Sequence, residues 1–416
     1  MTPAQPLTLI QLISEQTMQN LLPVLRLKPT RLVHLATPRT VHRSALIAEA
    51  ARQSQCPVKL ETATLSHMPG MKETMQATLS AIEQAGANDE SVLVNFTGGT
   101  KLMSIGAYVA ALKHKVPSLY VDTQDSVFVD GQTAGGLAEL LDGDLSFTPL
   151  QRSLTVHAIG RANGCGRVTG GRDWRPWLPL ARHLLENTNA EEKCHSVING
   201  ARNVRPVLNN PRKPREWLDA LDTDISLPVE VCKLALTSGI FRPGAGPDTL
   251  RLPDACRDEL TELTRIDGTA VVPGFFPRLL AAIGPVQDAL NFLGGAWWEV
   301  IVAERMYQCG RFRDLRWSVQ IGERGGPDLE EDIVGLEGVR VVYVSCKRSS
   351  QGGKLLPLLE QINARAAKLG GTFNRRFLAI FLKPRGNVLS NIHKRAEELG
   401  IRLIFGDDLE AADPFS

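Results

Sequence analysis

The chain has 416 residues, of which 43% are hydrophobic, and its formal net charge at pH 7 is +2. This composition describes an ordinary globular protein with room for two or three domains, without the strong basic excess of a dedicated nucleic-acid-binding protein. Seven scattered cysteines, with no CxxC pair, argue against a zinc site and indicate reduced thiols in a cytoplasmic protein. We expect neither a signal peptide nor a membrane span, because no apolar run reaches about 18 residues.

Residues 1–150 alternate short apolar stretches with longer amphipathic ones. Strands are predicted at residues 7–13, 31–36, 58–63, 91–95, 118–122 and 126–131. Helices are predicted at residues 17–25, 42–53, 71–85 and 102–113. This alternation predicts an α/β domain in which helices cover both faces of a parallel sheet. In such a sheet, ligands bind beyond the carboxyl ends of the strands.

Three of these strand ends carry polar side chains that suit a ligand. SEQTMQN (residues 14–20) follows the first strand, and TPRT (residues 37–40) follows the second. NFTGGTK (residues 95–101) follows the fourth strand and opens directly into a helix. Its glycines let the backbone approach a ligand closely, and the free helix N–H groups and the lysine favour a phosphate. The spacing is not that of a P-loop, and a plain strand–turn–helix connection is an equally open alternative.

The stretches SEQTMQNLLPVL and NFTGGTK, with VDTQ at residues 121–124 as a less specific third, resemble the CARF domain. This Rossmann-like domain senses cyclic oligoadenylates in type III CRISPR defence, and the resemblance covers about the first third of the chain. It implies a homodimer that holds the ring, expected to be cyclic tetra-adenylate, across its two-fold axis. The residues that the resemblance places around the ring are Ser14, Gln16, Thr17, Asn20, Thr37, Arg39, Thr97, Gly98, Gly99, Thr100 and Lys101.

Residues 151–284 give the weakest signals and are predicted to connect two domains. The glycine-rich stretch at residues 160–171 is expected to be a mobile loop or a hairpin. Helices are predicted at residues 174–187 and 215–221. A helix at residues 228–238 followed by a hairpin at residues 241–252 has the outline of a winged helix. A connecting module is the favoured interpretation, since this outline shows no basic recognition helix.

Residues 285–416 form the second predicted domain. Helices are expected at residues 291–306, 355–369 and 388–399, and strands around residues 333–334 and at 339–344, 377–382 and 402–405. Asp332, at the start of one strand, and Lys347, at the end of the next, can meet at one edge of a sheet. A carboxylate that holds a divalent cation beside an ammonium group suits metal-assisted phosphodiester cleavage. The alternative is a solvated acidic turn and a lysine that only ends its strand.

The order helix, strand, strand, helix, strand resembles the PD-(D/E)XK nuclease fold, with Glu299, Asp332 and Lys347 at its motif positions. The resemblance implies Mn²⁺ or Mg²⁺ held by Asp332 and the Cys346 carbonyl, with Glu299 as an outer ligand or as the group that positions a water. Lys347 is expected to orient the nucleophile and to offset charge. Ser345 stands where the family has an acid. The serine is expected to act through a water, or else Glu331 or Glu360 replaces the acid.

The pairing of the two domains resembles cyclic-oligoadenylate-activated nucleases that cut DNA by nicking or single-strand cleavage, and RNA stays open as a substrate. Basic residues near the site are expected to follow the nucleic-acid backbone, and they are Arg348, Lys354, Arg365, Lys368, Arg375 and Arg376. Two alternatives remain. One is a sensor with an inactive nuclease fold, favoured by Ser345. The other is an enzyme that degrades its own activator with Thr17, Thr100 and Lys101.

Overall fold

The computed structural model describes residues 6–189, 191–192, 195, 226–228, 269–271, 292–322, 328–349, 355–371, 373–411 and 413–416. Two six-stranded sheets organise these residues, and a two-stranded pair is also present. The winged-helix outline, apart from residue 228, and the helix predicted at residues 215–221 lie outside the described residues. No helix in the described part of the chain is long and apolar enough to cross a membrane.

The N-terminal sheet has the strand order β3-β2-β1-β4-β5-β6. Neighbouring strands in it are parallel, except for β5 and β6, which are antiparallel. Its strands are β1 (Leu7–Leu12), β2 (Arg31–Ala36), β3 (Lys59–Thr64), β4 (Ser91–Asn95), β5 (Ser118–Asp122) and β6 (Val127–Asp130). β1 and β2 are buried at every position, as expected of strands covered on both faces. The strand order reverses between β1 and β4, so the loops that follow these two strands meet at the topological switch point.

The helices of this domain are α1 (Met18–Leu27), α2 (Val41–Gln53), α3 (Met71–Gly86), α4 (Lys101–His114) and the short α5 (Leu137–Leu140). The predicted strands and the four predicted helices of this domain are present, with ends that differ by at most about two residues from the sequence-based prediction. The prediction of an α/β sensor-type fold is confirmed for this domain.

A linking segment (residues 148–186) connects the two sheets. It contains α6 (Val156–Ala162), β7 (Arg167–Arg172), a 3₁₀ turn (Arg175–Trp177) and α7 (Leu178–Glu186). The prediction of a mobile loop or hairpin at residues 160–171 is wrong, because this stretch holds the end of α6 and β7 up to its last residue but one. β7 pairs with β10 at the edge of the second sheet, and Gly170 and Gly171 adopt positive φ angles of 77° and 95° there. An edge position tolerates glycines that a central strand would not.

The second sheet has the order β14-β13-β12-β11-β10-β7 and is mixed, with β12, β13 and β14 parallel and the remaining pairs antiparallel. Its strands are β7, β10 (Phe312–Gly322), β11 (Asp328–Glu337), β12 (Arg340–Ser349), β13 (Asn374–Leu382) and β14 (Ile401–Phe405). Its helices are α8 (Trp297–Gln308), which follows a π turn at Phe292–Ala296, α9 (Leu355–Gly370) and α10 (Asn387–Glu398). The predicted domain boundary at residue 285 stays a prediction, although β7 shows that this sheet also uses the linking segment.

One cluster of buried apolar side chains runs through both sheets and the linking segment. It includes Leu9 in the first sheet, Ile159 in α6 and Leu369 in α9. Beside it, Arg340 donates to the carbonyl of Gln124 across the two domains at 3.0 Å. Because buried apolar contact is the main favourable term in folding, α6 packs the two domains together as well as connecting them.

Candidate catalytic and ligand-binding sites

Asp332 is the centre of the candidate catalytic site. It lies within β11, and its Oδ2 accepts hydrogen bonds from the Cys346 amide at 2.6 Å, the Ser345 hydroxyl at 3.1 Å and the Lys347 ammonium at 3.2 Å. β11 pairs with β12 in antiparallel orientation, with Ile333 opposite Val344. This pairing brings Asp332 next to the residues that follow Val344. The prediction that Asp332 stands at the start of a strand is wrong, because β11 already begins at Asp328.

Glu299 approaches the same site from α8. The Trp317 indole donates to its Oε2 at 2.8 Å, and Glu299 lines one cleft of about 460 Å³ together with Asp332 and Lys347. Burial, and then the nearby charge of Asp332, raise the pKa of Glu299 well above its usual range. A half-buried carboxylate that faces another carboxylate gains from a shared cation, so the local electrostatics favour cation binding.

The Lys347 ammonium lies between the two oxygens that were predicted to bind a metal. It contacts Asp332 Oδ2 and also the Cys346 carbonyl oxygen, at 2.7 Å. Burial alone would lower the pKa of Lys347, but the charges of Asp332 and Glu299 outweigh it and raise the pKa. In this conformation the position between the carboxylate and carbonyl oxygens is therefore occupied by the positive charge of Lys347.

The chemistry of this donor set fits a small divalent cation. Among the described residues, no three His, Cys, Asp or Glu side chains are arranged to hold a metal ion by themselves. Mg²⁺ commonly takes one or two carboxylates and keeps several waters, and so does not need such a cage. Asp332, Glu299 and the Cys346 carbonyl suit this mode of binding.

The two acids predicted as substitutes for Ser345 are engaged elsewhere. Glu331 is buried, accepts hydrogen bonds from Tyr343 and Arg365, and has a pKa that burial raises. Glu360 pairs with Arg395 on the exposed side of α9 and α10. Neither carboxylate lines the cleft.

Glu330 lines the cleft, and the sequence-based prediction had missed it as a site residue. Its side chain accepts a hydrogen bond from Ser318 of the neighbouring strand β10. The strand was predicted only around residues 333–334, after the acidic run. Interpreted as a strand, that run would have placed Glu330 and Asp332 on one face, because alternate residues of a strand share a face.

Two of the predicted basic residues, Arg348 and Arg365, line the cleft. Arg348 pairs with Glu191 at 2.7 Å, and Arg365 pairs with Glu331 at 3.3 Å. Lys354 lies outside the described residues, and the other three do not line the cleft, namely Lys368, Arg375 and Arg376. The cleft therefore has less unpaired positive charge than the sequence suggested.

In the N-terminal domain, Asn95 joins the loops that follow β1 and β4. Its amide donates to the Gln19 carbonyl at 2.9 Å, while its Oδ1 accepts from the Thr97 amide at 3.1 Å and the Thr97 hydroxyl at 2.6 Å. Gly98 touches the end of β1 so closely that an added Cβ would lie 2.1 Å from the Leu12 carbonyl oxygen. The two predicted ligand loops thus form one packed unit at the switch point.

The residues predicted to line the ring differ in exposure. The exposed ones are Gln16, Arg39, Gly99, Thr100 and Lys101, the half-buried ones are Ser14, Thr37 and Thr97, and the buried ones are Thr17, Asn20 and Gly98. Thr17 and Asn20 make internal hydrogen bonds, to Asn163 Oδ1 at 2.7 Å and to the Leu12 carbonyl at 2.9 Å. In this conformation the side chains of Thr17 and Asn20 stabilise the segment that follows β1 through internal hydrogen bonds.

Comparison with known families finds one match in the N-terminal part of the chain and one in the C-terminal part. Residues 8–134 match the Card1 CARF domain, and residues 286–413 match the Card1-like endonuclease domain. No curated protein sequence matches the chain.

Several solved structures are similar in fold. Can2 from Sulfobacillus thermosulfidooxidans, solved with cyclic tetra-adenylate, has a TM-score of 0.61 at 17% identity, over 95% of each chain. VC1899 from Vibrio cholerae has a TM-score of 0.65 at 16% identity, over 97% of this chain and 95% of that one. A type III CRISPR defence DNA nuclease activated by cyclic oligoadenylate has a TM-score of 0.51 at 15% identity, over 93% of this chain and 47% of that one. At such low identities the likeness concerns the fold.

Proposed function

We propose that this chain, which joins a Card1 CARF domain to a Card1-like endonuclease domain, is a metal-dependent nuclease that cyclic tetra-adenylate switches on in type III CRISPR defence. The observation that carries the proposal is the meeting of Glu299, Asp332 and Lys347 in one cleft. The substrate that we propose is DNA, by nicking or single-strand cleavage, with RNA as a second polymer to test.

Asp332, the Cys346 carbonyl and Glu299 would hold Mg²⁺ or Mn²⁺, which supplies Lewis-acid activation of a phosphate and of a water molecule. Trp317 fixes the orientation of Glu299 through its indole N–H. Lys347 carries a positive charge close to the position of the reacting phosphate and offsets the negative charge that develops there. Ser345 donates to Asp332, so its hydroxyl orients that carboxylate in place of serving as a ligand.

The decisive experiment incubates the protein with Mn²⁺ and either supercoiled plasmid or single-stranded RNA, with and without cyclic tetra-adenylate. Ring-dependent cleavage supports the proposal and shows which polymer is cut. The absence of cleavage, with the ring still bound, would favour a sensor whose nuclease fold is inactive, as Ser345 suggests. Chromatography of the recovered ring shows whether the protein degrades its activator.

We also propose a homodimer, which the exposed apolar face of α4 supports. Leu102, Ile105 and Leu112 are 55%, 47% and 48% exposed, and their spacing places them on one side of the helix. This helix begins at Lys101, directly after the predicted phosphate-binding loop. A second copy packed here would bring two such loops together around one ring. Sedimentation velocity should therefore give the mass of two chains, and a monomer that still binds the ring tightly would contradict this arrangement.

Asn163, at the end of α6, connects the ligand loop to the nuclease domain. Its Oδ1 accepts from Thr17, and its Nδ2 donates to the carbonyl of Leu369 at 3.0 Å. Its own carbonyl accepts from Arg43 at 2.8 Å. A movement of the loop that follows β1 would therefore be transmitted to α9 through the side chain of Asn163.

We expect Asn163→Ala to bind the ring almost as tightly as wild type and to lose about 5- to 150-fold of ring-stimulated cleavage, a typical range for coupling between two sites. Calorimetry and the plasmid assay measure the two quantities separately. Thr17→Ser, which keeps the hydroxyl donor, is the matched control and should stay activated. Equal losses of binding and of cleavage in Asn163→Ala would show that Asn163 supports the ring site only.

A further inference from the structure

The linking segment supplies part of the catalytic cleft. Trp177, at the end of the 3₁₀ turn, lines the cleft together with Glu299, Asp332 and Lys347. It lies more than a hundred residues before the start of the matched endonuclease region at residue 286. Trp177 therefore gives the cleft an aromatic side chain that the endonuclease domain alone does not provide.

Packing against two other aromatic rings holds Trp177 in place. Its ring centroid lies 4.7 Å from that of Phe292 and 5.7 Å from that of Trp317, in tilted and edge-to-face arrangements. Phe292 and Trp317 are only 2% and 3% exposed, whereas Trp177 is half-buried. Trp177 is thus the member of this cluster with indole surface left to contact a ligand, and the other two fix its position.

This aromatic surface stands next to the reacting groups. Trp317, which contacts the Trp177 ring, donates its indole hydrogen bond to Glu299. A phosphate and its base are joined by a single sugar. A nucleotide whose phosphate lay at Asp332 and Lys347 would therefore have its base within reach of the Trp177 ring.

The charges of the cleft show why such a contact is needed. Glu299, Glu330 and Asp332 are acidic. Of the four basic side chains that line the cleft, Lys347, Arg348 and Arg365 are paired with carboxylates, and the fourth is Arg172. Electrostatic attraction to the phosphate backbone, the usual main source of nucleic-acid affinity, is therefore weakened close to the site. Stacking of a base on an aromatic ring supplies affinity that does not depend on charge.

We propose that Trp177 is a stacking site for one unpaired nucleobase beside the phosphodiester that is cut. This inference rests on the proposed nuclease function. Because every base has a flat π-face, the site accepts any base and serves DNA and RNA alike. A base inside a duplex is covered by its neighbours, so the strand has to be single or locally opened where it is cut.

The test begins with a single-stranded oligonucleotide of mixed sequence, made as DNA and as RNA, on which the cut is mapped in the presence of Mn²⁺ and cyclic tetra-adenylate. We expect Trp177→Ala to raise KM about 5- to 150-fold. Trp177→Phe, which keeps an aromatic face, should lose much less. An abasic nucleotide placed on either side of the mapped cut should, in one of the two positions, raise the KM of the wild type by a similar factor.

The combination of variant and abasic substrate separates stacking from a purely structural role. If Trp177 stacks on that base, Trp177→Ala loses nothing more when the base is already missing. Equal effects of the abasic nucleotide on wild type and Trp177→Ala, or an unchanged KM in Trp177→Ala, would overturn the inference while leaving the nuclease function intact.

A binding measurement distinguishes the failure of the inference from the failure of the proposed function. The anisotropy of the labelled oligonucleotide is measured with EDTA and cyclic tetra-adenylate, so that no cleavage interferes. Weaker binding by Trp177→Ala and retained binding by Trp177→Phe support stacking even if the protein never cuts. Equal binding by all three proteins would contradict it.

Discussion

Asp332→Asn is expected to reduce ring-activated cleavage by about 10³-fold and to leave ring binding unchanged. Asparagine has the shape of aspartate but lacks the negative charge that a cation, and the ammonium of Lys347, would face. Loss of a preorganised electrostatic contact in an active site commonly costs about 10²- to 10³-fold, and Asp332 has several such contacts, with Ser345, Cys346 and Lys347. The rate of plasmid nicking at saturating Mn²⁺ measures the effect.

Glu360→Gln is the matched control for this prediction. It removes a carboxylate of the same domain that is exposed and paired with Arg395, outside the cleft. We expect it to cut like the wild type, which would also dismiss Glu360 as a replacement for the missing acid at Ser345. If Asp332→Asn cut as fast as Glu360→Gln, the candidate site would be the wrong one.

Gly98→Ala should lower the affinity for cyclic tetra-adenylate by about 5- to 150-fold. The new methyl group would lie 2.1 Å from the Leu12 carbonyl oxygen, and a backbone atom cannot rotate away as a side-chain tip can. Forcing a group into a packed site typically costs about 1–3 kcal/mol, and every 1.4 kcal/mol is tenfold in binding. The displaced loop carries Thr97, Thr100 and Lys101. Isothermal titration calorimetry measures the affinity.

Gly86→Ala serves as the control for Gly98→Ala. It adds the same methyl group at the end of α3, where nothing lies within 4 Å. Its affinity for the ring should equal that of the wild type, and its melting temperature should not fall. A normal affinity in Gly98→Ala would mean that the loop that follows β4 does not contact the ring.

The N-terminal fold was predictable from the sequence because its signals are local. Each buried strand is a short run with an apolar centre, such as RLVHLA at Arg31–Ala36 and SVLVN at Ser91–Asn95, and each helix follows a polar turn. The C-terminal sheet was harder. β10 was missed because a bulge between Arg313 and Arg316, and a positive φ of 55° at Ser318, break the alternation that marks a strand.

The candidate site was predictable only in part, for a related reason. Glu299, Asp332 and Lys347 stand in motifs, and the structure brings them together. Glu330 was missed because the strand was predicted only around residues 333–334, whereas β11 already begins at Asp328. Trp177 had no motif at all, since its place in the cleft depends on how the linking segment folds back, and distant contacts of this kind leave no local pattern.

The pairing of β7 with β10 also determines which part of the chain the nuclease domain needs in order to keep its sheet edge covered. A fragment that began at residue 286, where the matched endonuclease region starts, would leave β10 as a bare edge. Exposed strand edges with unpaired N–H and C=O groups invite aggregation. A recombination event that moved this nuclease to another sensor would therefore leave this edge of the sheet exposed unless β7 moved with it. β7 therefore belongs to the structural unit of the nuclease sheet, although it precedes the matched region in the chain.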